Sequence, residues 1–114
     1  MKVLNLCGAI CLMLLSCSPH KEERWASVTI DGRPASGFLL VMKDKKVIGG
    51  HDTCNEWGLS DHPGLIVMTA QECPSDDIIK AYWGLARGKK AIYTQHGNKL
   101  IAKAGGHIGV FQKA

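Results

Sequence analysis

The stretch 75-SDDIIKAYWGLARG-88 decides the fold, because it is the one good helix in the sequence. Ser75 can cap this helix, and Asp76 and Asp77 place negative charge in its first turn, where the backbone dipole favours it. Gly88 supplies the stop signal. The apolar residues with helical spacing on one face are Ile78, Ile79, Tyr82, Trp83 and Ala86. Such an amphipathic helix requires a sheet to cover its apolar face.

Short strand-like segments precede and follow this helix. Strands are predicted at 25–30, 38–42, 47–48 and 65–68, and again at 91–95, 99–102 and 108–111. Gly49-Gly50 is predicted to end or bulge the third strand, and residues 51–64 are predicted to form a loop. The predicted class is α+β: a curved, mainly antiparallel β-sheet, partly open and barrel-like, packed on one α-helix.

The N-terminus resembles a bacterial lipoprotein signal. Lys2 is followed by an apolar run at 3–15, and Leu14-Leu15-Ser16-Cys17 places a small residue before a cysteine. The run is shorter than the roughly 20 residues of a membrane-spanning helix, although an uncleaved signal anchor is the alternative. The predicted division is a signal at 1–16, a lipidated tether at 17–24 and one domain at 25–114.

The resemblance implies that Cys17 becomes the first mature residue and carries lipid on its sulfur and its amine. Two or more acyl chains anchor a protein stably to a membrane, whereas a single chain does not. The membrane is therefore the expected partner. The position after the predicted lipidation site holds Ser18 and not the aspartate that is associated with retention in the inner membrane. The resemblance therefore favours an outer-membrane lipoprotein that faces the periplasm. The formal net charge is +4, but the basic residues form no continuous stripe, and Asp44 interrupts the cluster of Lys43, Lys45 and Lys46. Nucleic acid is therefore not an expected partner.

Of the five cysteines, Cys7 and Cys11 lie in the predicted signal and Cys17 is the predicted lipidation site. Cys54 and Cys73 remain, and an exported domain lies where disulfides persist. We expect these two to form a disulfide that stabilises the domain by roughly 3 kcal/mol. Two nearby but unbridged thiols are the alternative.

The 51–64 loop has two other chemical interpretations. His51 could activate Cys54 as a nucleophile, with Asp52 or Asp61 orienting the imidazole. His51, Cys54, His62 and Cys73 could bind zinc, but they lack the usual close spacing of paired ligands. Both interpretations are weaker than a structural role, so we predict no enzymatic activity, no metal and no cofactor.

Polar and aromatic residues near the cysteines are expected to serve the fold. Asn55 and Thr69 are interpreted as local hydrogen-bonding residues, and Trp57 as a packed lid or an exposed anchor for a partner. Tyr82 and Trp83 are expected in the core, with an apolar groove between helix and sheet as the alternative. His96 and His107 lie in predicted turns and are expected to be solvated.

These residues together resemble the META/HslJ-like domain family, which includes exported bacterial lipoproteins. The stretch 51-HDTCNEWG-58 is similar to the family's Gly-Cys-Asn motif, with Thr53 at the usual glycine position. The stretch 69-TAQEC-73 resembles its second motif, with Gln71 and Glu72 in place of methionine and alanine. The resemblance covers residues 27–112 and implies a curved antiparallel sheet with one helix. It implies no established enzymatic activity and loose links to heat shock, antibiotic tolerance and secretion.

We therefore expect a lipid-anchored cell-envelope protein with a non-catalytic META/HslJ-like domain. Its expected role is that of a binding or structural module in envelope maintenance or stress response, with an unknown envelope protein as partner. The alternative is a pilot-like or carrier-like module that binds an acyl chain or an apolar peptide between helix and sheet.

Overall fold

The computed structural model describes residues 21–62, 64–74 and 76–114. In chain order, their elements are β1 (Glu23–Ile30), β2 (Arg33–Pro34), β3 (Phe38–Lys43), β4 (Lys46–Asp52), β5 (Glu56–Leu59), β6 (Ile66–Met68), α1 (Asp77–Arg87), β7 (Ile92–His96), β8 (Lys99–Ala104) and β9 (His107–Lys113). The predicted signal at 1–16, the predicted lipidation site Cys17 and the start of the tether lie outside the described residues. No helix in the described part of the chain is long and apolar enough to cross a membrane.

The strands form one antiparallel sheet with two free edges. Its order is β6-β5-β4-β3-β1-β9-β8-β7, and the short β2 pairs with β1 outside this path. The predicted α+β class, a largely antiparallel open sheet with one helix, is confirmed. Because β1 lies between β3 and β9, the first and last strands of the described residues meet near the centre of the sheet.

The core lies between α1 and one face of the sheet. The helix contacts β1, β4, β8 and β9. Strand β3 shows the alternation that creates this face, because Phe38, Leu40 and Met42 are buried and their neighbours are not. The largest fully buried side chains are Trp25, Ile30, Leu40, Tyr82, Leu85 and Phe111. Each such side chain contributes about 1.5–3 kcal/mol by leaving water.

The helix begins one residue later than its predicted cap. Ser75 lies outside the described residues, and Asp76 is the N-cap, with its Oδ1 accepting a hydrogen bond of 2.9 Å from the Ile79 N–H. Gly88 ends the helix with an extended backbone. Tyr82 and Ala86 of the predicted apolar face are buried together with Ala81 and Leu85, whereas Ile78, Ile79 and Trp83 are partly buried.

Three predicted boundaries are corrected by strand pairing. Strand β1 begins at Glu23, within the predicted tether, because Glu23 and Arg24 pair with β3. Gly49 and Gly50 do not end their strand but pair with β3 and β5, and the register shift between Val47 and Gly49 agrees with the other half of that prediction, a bulge. The predicted loop at 51–64 contains β5, which pairs with both β4 and β6.

Candidate functional site

The turn from Asp52 to Asn55 connects β4 to β5 and is organised by one carboxylate. Asp52 is buried, and its Oδ1 accepts hydrogen bonds from the backbone N–H groups of Cys54, at 3.0 Å, and Asn55, at 2.6 Å. The Asp52 N–H donates to the Asn55 carbonyl at 3.1 Å. Thr53 takes a left-handed conformation, with φ of +76°. The aspartate side chain therefore replaces backbone hydrogen bonds that this tight turn cannot make.

Asn55 joins this turn to the segment that follows β6. Its Nδ2 donates to the Gln71 carbonyl at 3.0 Å and lies 2.9 Å from the Cys73 sulfur. Its Oδ1 accepts from the Thr69 hydroxyl at 2.7 Å and from the Gln71 N–H at 3.0 Å. All of the amide's hydrogen-bonding positions are thus used within the protein, which is how a buried amide avoids a desolvation penalty.

Covalent and backbone contacts close the same junction. Cys54 and Cys73 form a disulfide, with Cα atoms 6.0 Å apart. Thr69 accepts from the Glu56 N–H through its hydroxyl and donates its own N–H to the Glu56 carbonyl. The motif residues Asn55 and Thr69 therefore continue the pairing of β5 with β6 beyond the ends of those strands.

The two alternative chemistries of this loop do not fit the geometry. Both sulfurs are in the disulfide, so neither is available as the thiolate that a nucleophile or a zinc ligand requires. The His51 Nδ1 accepts a hydrogen bond from the Thr53 N–H at 3.1 Å and lies 3.3 Å from the Gly37 carbonyl. Among the described residues, no three His, Cys, Asp or Glu side chains are arranged to hold a metal ion.

Trp57 is a buried residue of β5, so the packed interpretation of this side chain fits and the exposed anchor does not. Its indole N–H donates to the Tyr82 hydroxyl at 2.9 Å, and that hydroxyl donates to the Leu39 carbonyl at 2.6 Å. Burial raises the pKa of the Tyr82 hydroxyl above its ordinary value of 10.0, which keeps it protonated as a donor. Gly50 is required beside it, because a Cβ there would collide with the Leu39 carbonyl and the Tyr82 hydroxyl.

Trp83 connects this aromatic cluster to the turn. Its indole N–H donates to the Asp52 Oδ2 at 3.1 Å, and its ring lies 5.0 Å from Trp57 and 5.6 Å from Tyr82. Tyr82 is fully buried and offers no surface to an acyl chain. The space of the predicted groove is therefore filled by the Tyr82 and Trp83 rings themselves.

A second aspartate holds two other turns together. The Asp31 carboxylate accepts from the Ile108 N–H at 2.9 Å and lies 2.6 Å from the His107 Nδ1. The Ile108 N–H, followed by the His107 side chain, holds the pKa of Asp31 below its ordinary value of 3.8. His107 is therefore paired and not simply solvated as predicted, whereas His96 is exposed.

Asp52 is the residue that sequence reasoning missed. It was assigned only as a possible partner of the His51 imidazole, yet it binds the turn and Trp83. A signal was present, because an aspartate in a predicted turn commonly accepts a hydrogen bond from the backbone N–H two residues further on, which here is that of Cys54.

Comparisons with known proteins return no relative. No protein-family model, no curated protein and no solved structure matches the chain. The chemistry of the site is consequently judged by its own geometry.

Proposed function

We propose that this chain is a lipid-anchored cell-envelope protein whose META/HslJ-like domain is a non-catalytic binding or structural module. One observation carries the non-catalytic part: the reactive side chains of the loop are used to hold the loop. The Cys54 and Cys73 sulfurs are bridged, the Asn55 amide is fully hydrogen-bonded, and the Asp52 carboxylate accepts three hydrogen bonds. Catalytic groups, by contrast, must reach substrate with lone pairs or protons to spare.

The anchor and the compartment are supported by the sequence and by the disulfide. The apolar run ending in Ser16-Cys17 favours lipidation at Cys17, and the Cys54–Cys73 disulfide suits an oxidising compartment such as the periplasm. The proposed family relationship is supported by the Cys54-Asn55 and Thr69 to Cys73 motifs, which lie side by side across the disulfide.

Membrane fractionation of bacteria that express the full chain tests the anchor. The wild-type chain is expected in the membrane fraction, and its intact mass is expected to include acyl chains on Cys17. Cys17→Ala should move the chain to the soluble fraction or leave its signal uncleaved, since the acceptor sulfur is gone. Cys11→Ala, within the apolar run, is the matched control and should change neither. A soluble, unacylated wild-type chain would contradict the proposed anchor.

Alkylation of the denatured chain, with and without prior reduction, tests the non-catalytic assignment. We expect Cys54 and Cys73 to resist the reagent until the disulfide is reduced. Labelling of Cys54 in the unreduced chain would overturn the assignment, because a free thiol is what a cysteine nucleophile requires.

One cavity favours the carrier-like alternative, although it lies elsewhere than predicted. A cavity of about 480 Å³ is lined by Met42 and Leu100, with Glu23 and Lys45 among its charged residues and Tyr93 on one wall. This volume is within the usual range for small-ligand sites, and the Lys45 ammonium could pair with a carboxylate.

A titration with a medium-chain fatty acid, followed by isothermal titration calorimetry, tests this alternative. We expect saturable binding that Lys45→Glu weakens about tenfold, since the charge pair becomes a like-charge contact. Lys43→Glu, at the last residue of β3 and outside the cavity lining, is the matched control. Absence of saturable binding by the wild-type chain would remove the alternative.

A further inference from the structure

The free edges of the sheet carry the most exposed apolar side chains of the described residues. Val67 on β6 is 62% exposed and Ile92 on β7 is 63% exposed. Leu65, two residues before Val67, adds further exposed apolar surface, and Leu59 and Met68 expose apolar surface on the opposite face of the sheet. An open edge with exposed apolar side chains is the part of a sheet that most readily accepts another strand.

The β6 edge presents unpaired backbone groups at defined positions. The Ser60 N–H donates to the Leu65 carbonyl, and the Thr69 N–H donates to the Glu56 carbonyl. In an antiparallel pair, residues whose backbone groups bond to the partner strand alternate with residues whose backbone groups point outward. The N–H and C=O of Val67 therefore face β5. Ile66 and Met68 consequently direct their N–H and C=O groups away from the sheet.

The β7 edge presents a matching set. The Lys113 N–H donates to the Asn98 carbonyl, so the even-numbered residues of β8 bond to β9 and the odd-numbered ones bond to β7. Ile92, Thr94 and His96 therefore bond to β8, while Tyr93 and Gln95 direct their backbone groups outward. Both edges thus offer backbone groups at every second residue.

Charge separates the two edges. Residues 47–77, which include β5 and β6, contain six acidic residues and no lysine or arginine: Asp52, Glu56, Asp61, Glu72, Asp76 and Asp77. Residues 78–114, which include β7 to β9, contain seven basic residues and no acidic one: Lys80, Arg87, Lys89, Lys90, Lys99, Lys103 and Lys113. The edge strands themselves carry no Asp, Glu, Lys or Arg, but the charges beside them differ in sign: Glu56, Asp61 and Glu72 lie next to β6 in the chain or on β5, and Lys99 and Lys103 of β8 pair with β7.

We propose that a second copy of this chain is the partner of these edges, with the β6 edge of one copy pairing antiparallel to the β7 edge of the next. In the favoured register Val67 lies opposite Ile92, and Ile66 lies opposite Tyr93. Val67 and Ile92 both project from the face away from α1, because Trp57 and Tyr93 project toward the helix side. Contact between Val67 and Ile92 removes the two most exposed apolar side chains from water.

Charge selects this arrangement over the symmetric ones. Pairing of two β6 edges would bring Asp61 and Glu72 against the same acidic residues, and pairing of two β7 edges would oppose lysines. In the head-to-tail register, Glu72 approaches Lys89 and Asp61 approaches Lys99. Such a contact is heterologous, so it leaves one free edge at each end and can add further copies. It does not depend on the proposed anchor.

Sedimentation analysis of the full chain in mild detergent tests the proposal. At about 0.01 M salt we expect a mass about twice that of one copy or more, falling to one copy at about 1 M salt, where screening is strong. Val67→Lys and Ile92→Glu should each abolish the association, since each places a like charge at the opposing edge. The double variant, Val67→Lys with Ile92→Glu, should restore it by pairing the new charges.

Matched variants and a folding check make each outcome decisive. Val28→Lys and Ile108→Glu alter exposed apolar residues away from both edges and should leave the association unchanged. Circular dichroism should give the wild-type spectrum for all variants. A wild-type chain with the mass of one copy at both salt concentrations overturns the proposal. Association that persists in Ile92→Glu also overturns it, because that result requires a symmetric β6 contact or an unrelated one.

Discussion

Two aspartates in this protein hold turns together, and they do so by different physical means. Asp52 is 4% exposed, accepts from two backbone N–H groups and the Trp83 indole, and lies beside a disulfide. Asp31 lies near the surface, accepts from one backbone N–H and faces the His107 imidazole. The buried aspartate is surrounded by neutral donors, whereas the exposed one has a pKa that the Ile108 N–H and the His107 side chain hold below its ordinary value. We therefore expect the first to dominate stability and the second to dominate its pH dependence.

The largest expected effect is that of Asp52→Ala. The variant leaves the N–H groups of Cys54 and Asn55 and the Trp83 indole without their acceptor, at a cost of about 4 kcal/mol of unfolding free energy. Urea unfolding followed by fluorescence measures this loss. Asp61→Ala, at an exposed position in the β5–β6 turn, is the control and should change stability by less than about 0.5 kcal/mol. Equal effects of the two variants would refute the central role of Asp52.

Removal of the disulfide should have the next largest effect. The double variant Cys54→Ala with Cys73→Ala is expected to lose about 3 kcal/mol, because the unfolded chain regains the freedom of a closed loop. Chemical denaturation of the wild-type chain with and without reductant provides an independent measurement. Reductant should leave the double variant unaffected. A loss much below 1 kcal/mol would show that the hydrogen bonds of Asn55 hold the junction without the bridge.

Asp31→Asn should produce a smaller, pH-dependent effect. The folded protein lowers the pKa of Asp31 below 3.8, so its ionised form contributes stability above that pH, and the contribution disappears as the pH falls through the lowered pKa. We expect a loss of about 1 kcal/mol at pH 7, given the exposure of the pair, and convergence with the wild type in acid. Thermal unfolding from pH 7 down to about 2 follows the difference. A difference that is constant over this range would exclude the electrostatic role.

Thr53→Gly should have the smallest effect and the opposite sign. A β-branched residue at φ of +76° is strained, so glycine is expected to stabilise the protein by about 0.5 kcal/mol despite its greater freedom in the unfolded chain. Thr29→Gly, within β1, is the matched control and should destabilise. Equal destabilisation by both substitutions would show that Thr53 makes contacts that outweigh its strain.

The sequence was sufficient for features that depend on local pattern. The α1 face, the Cys54–Cys73 pairing and most strands follow from helical spacing, cysteine count and turn residues. Strand β5 was missed because Gly58 interrupts the apolar alternation of its four residues. Its identity as a strand comes from pairing with β4 and β6, which no local pattern contains.

Long-range polar contacts could not be predicted in the same way. Asp31 and His107 are 76 residues apart, and only the meeting of two hairpin turns brings them together. The assignment of Trp57 likewise required the position of Tyr82 on the helix. Residue type indicated that these side chains would need partners, but the topology of the sheet determined which partners they found.

The central position of β1 has a consequence for the timing of folding. Trp25 pairs with Leu40 within a short span of chain, but it also pairs with Lys113, the last residue of β9. The sheet is therefore complete only when β9 has joined it, and one side of β1 stays unpaired until then. Closing so long a span is slow compared with forming the local hairpins. A circularly permuted chain, with β9 joined directly to β1, should consequently fold faster than the natural order.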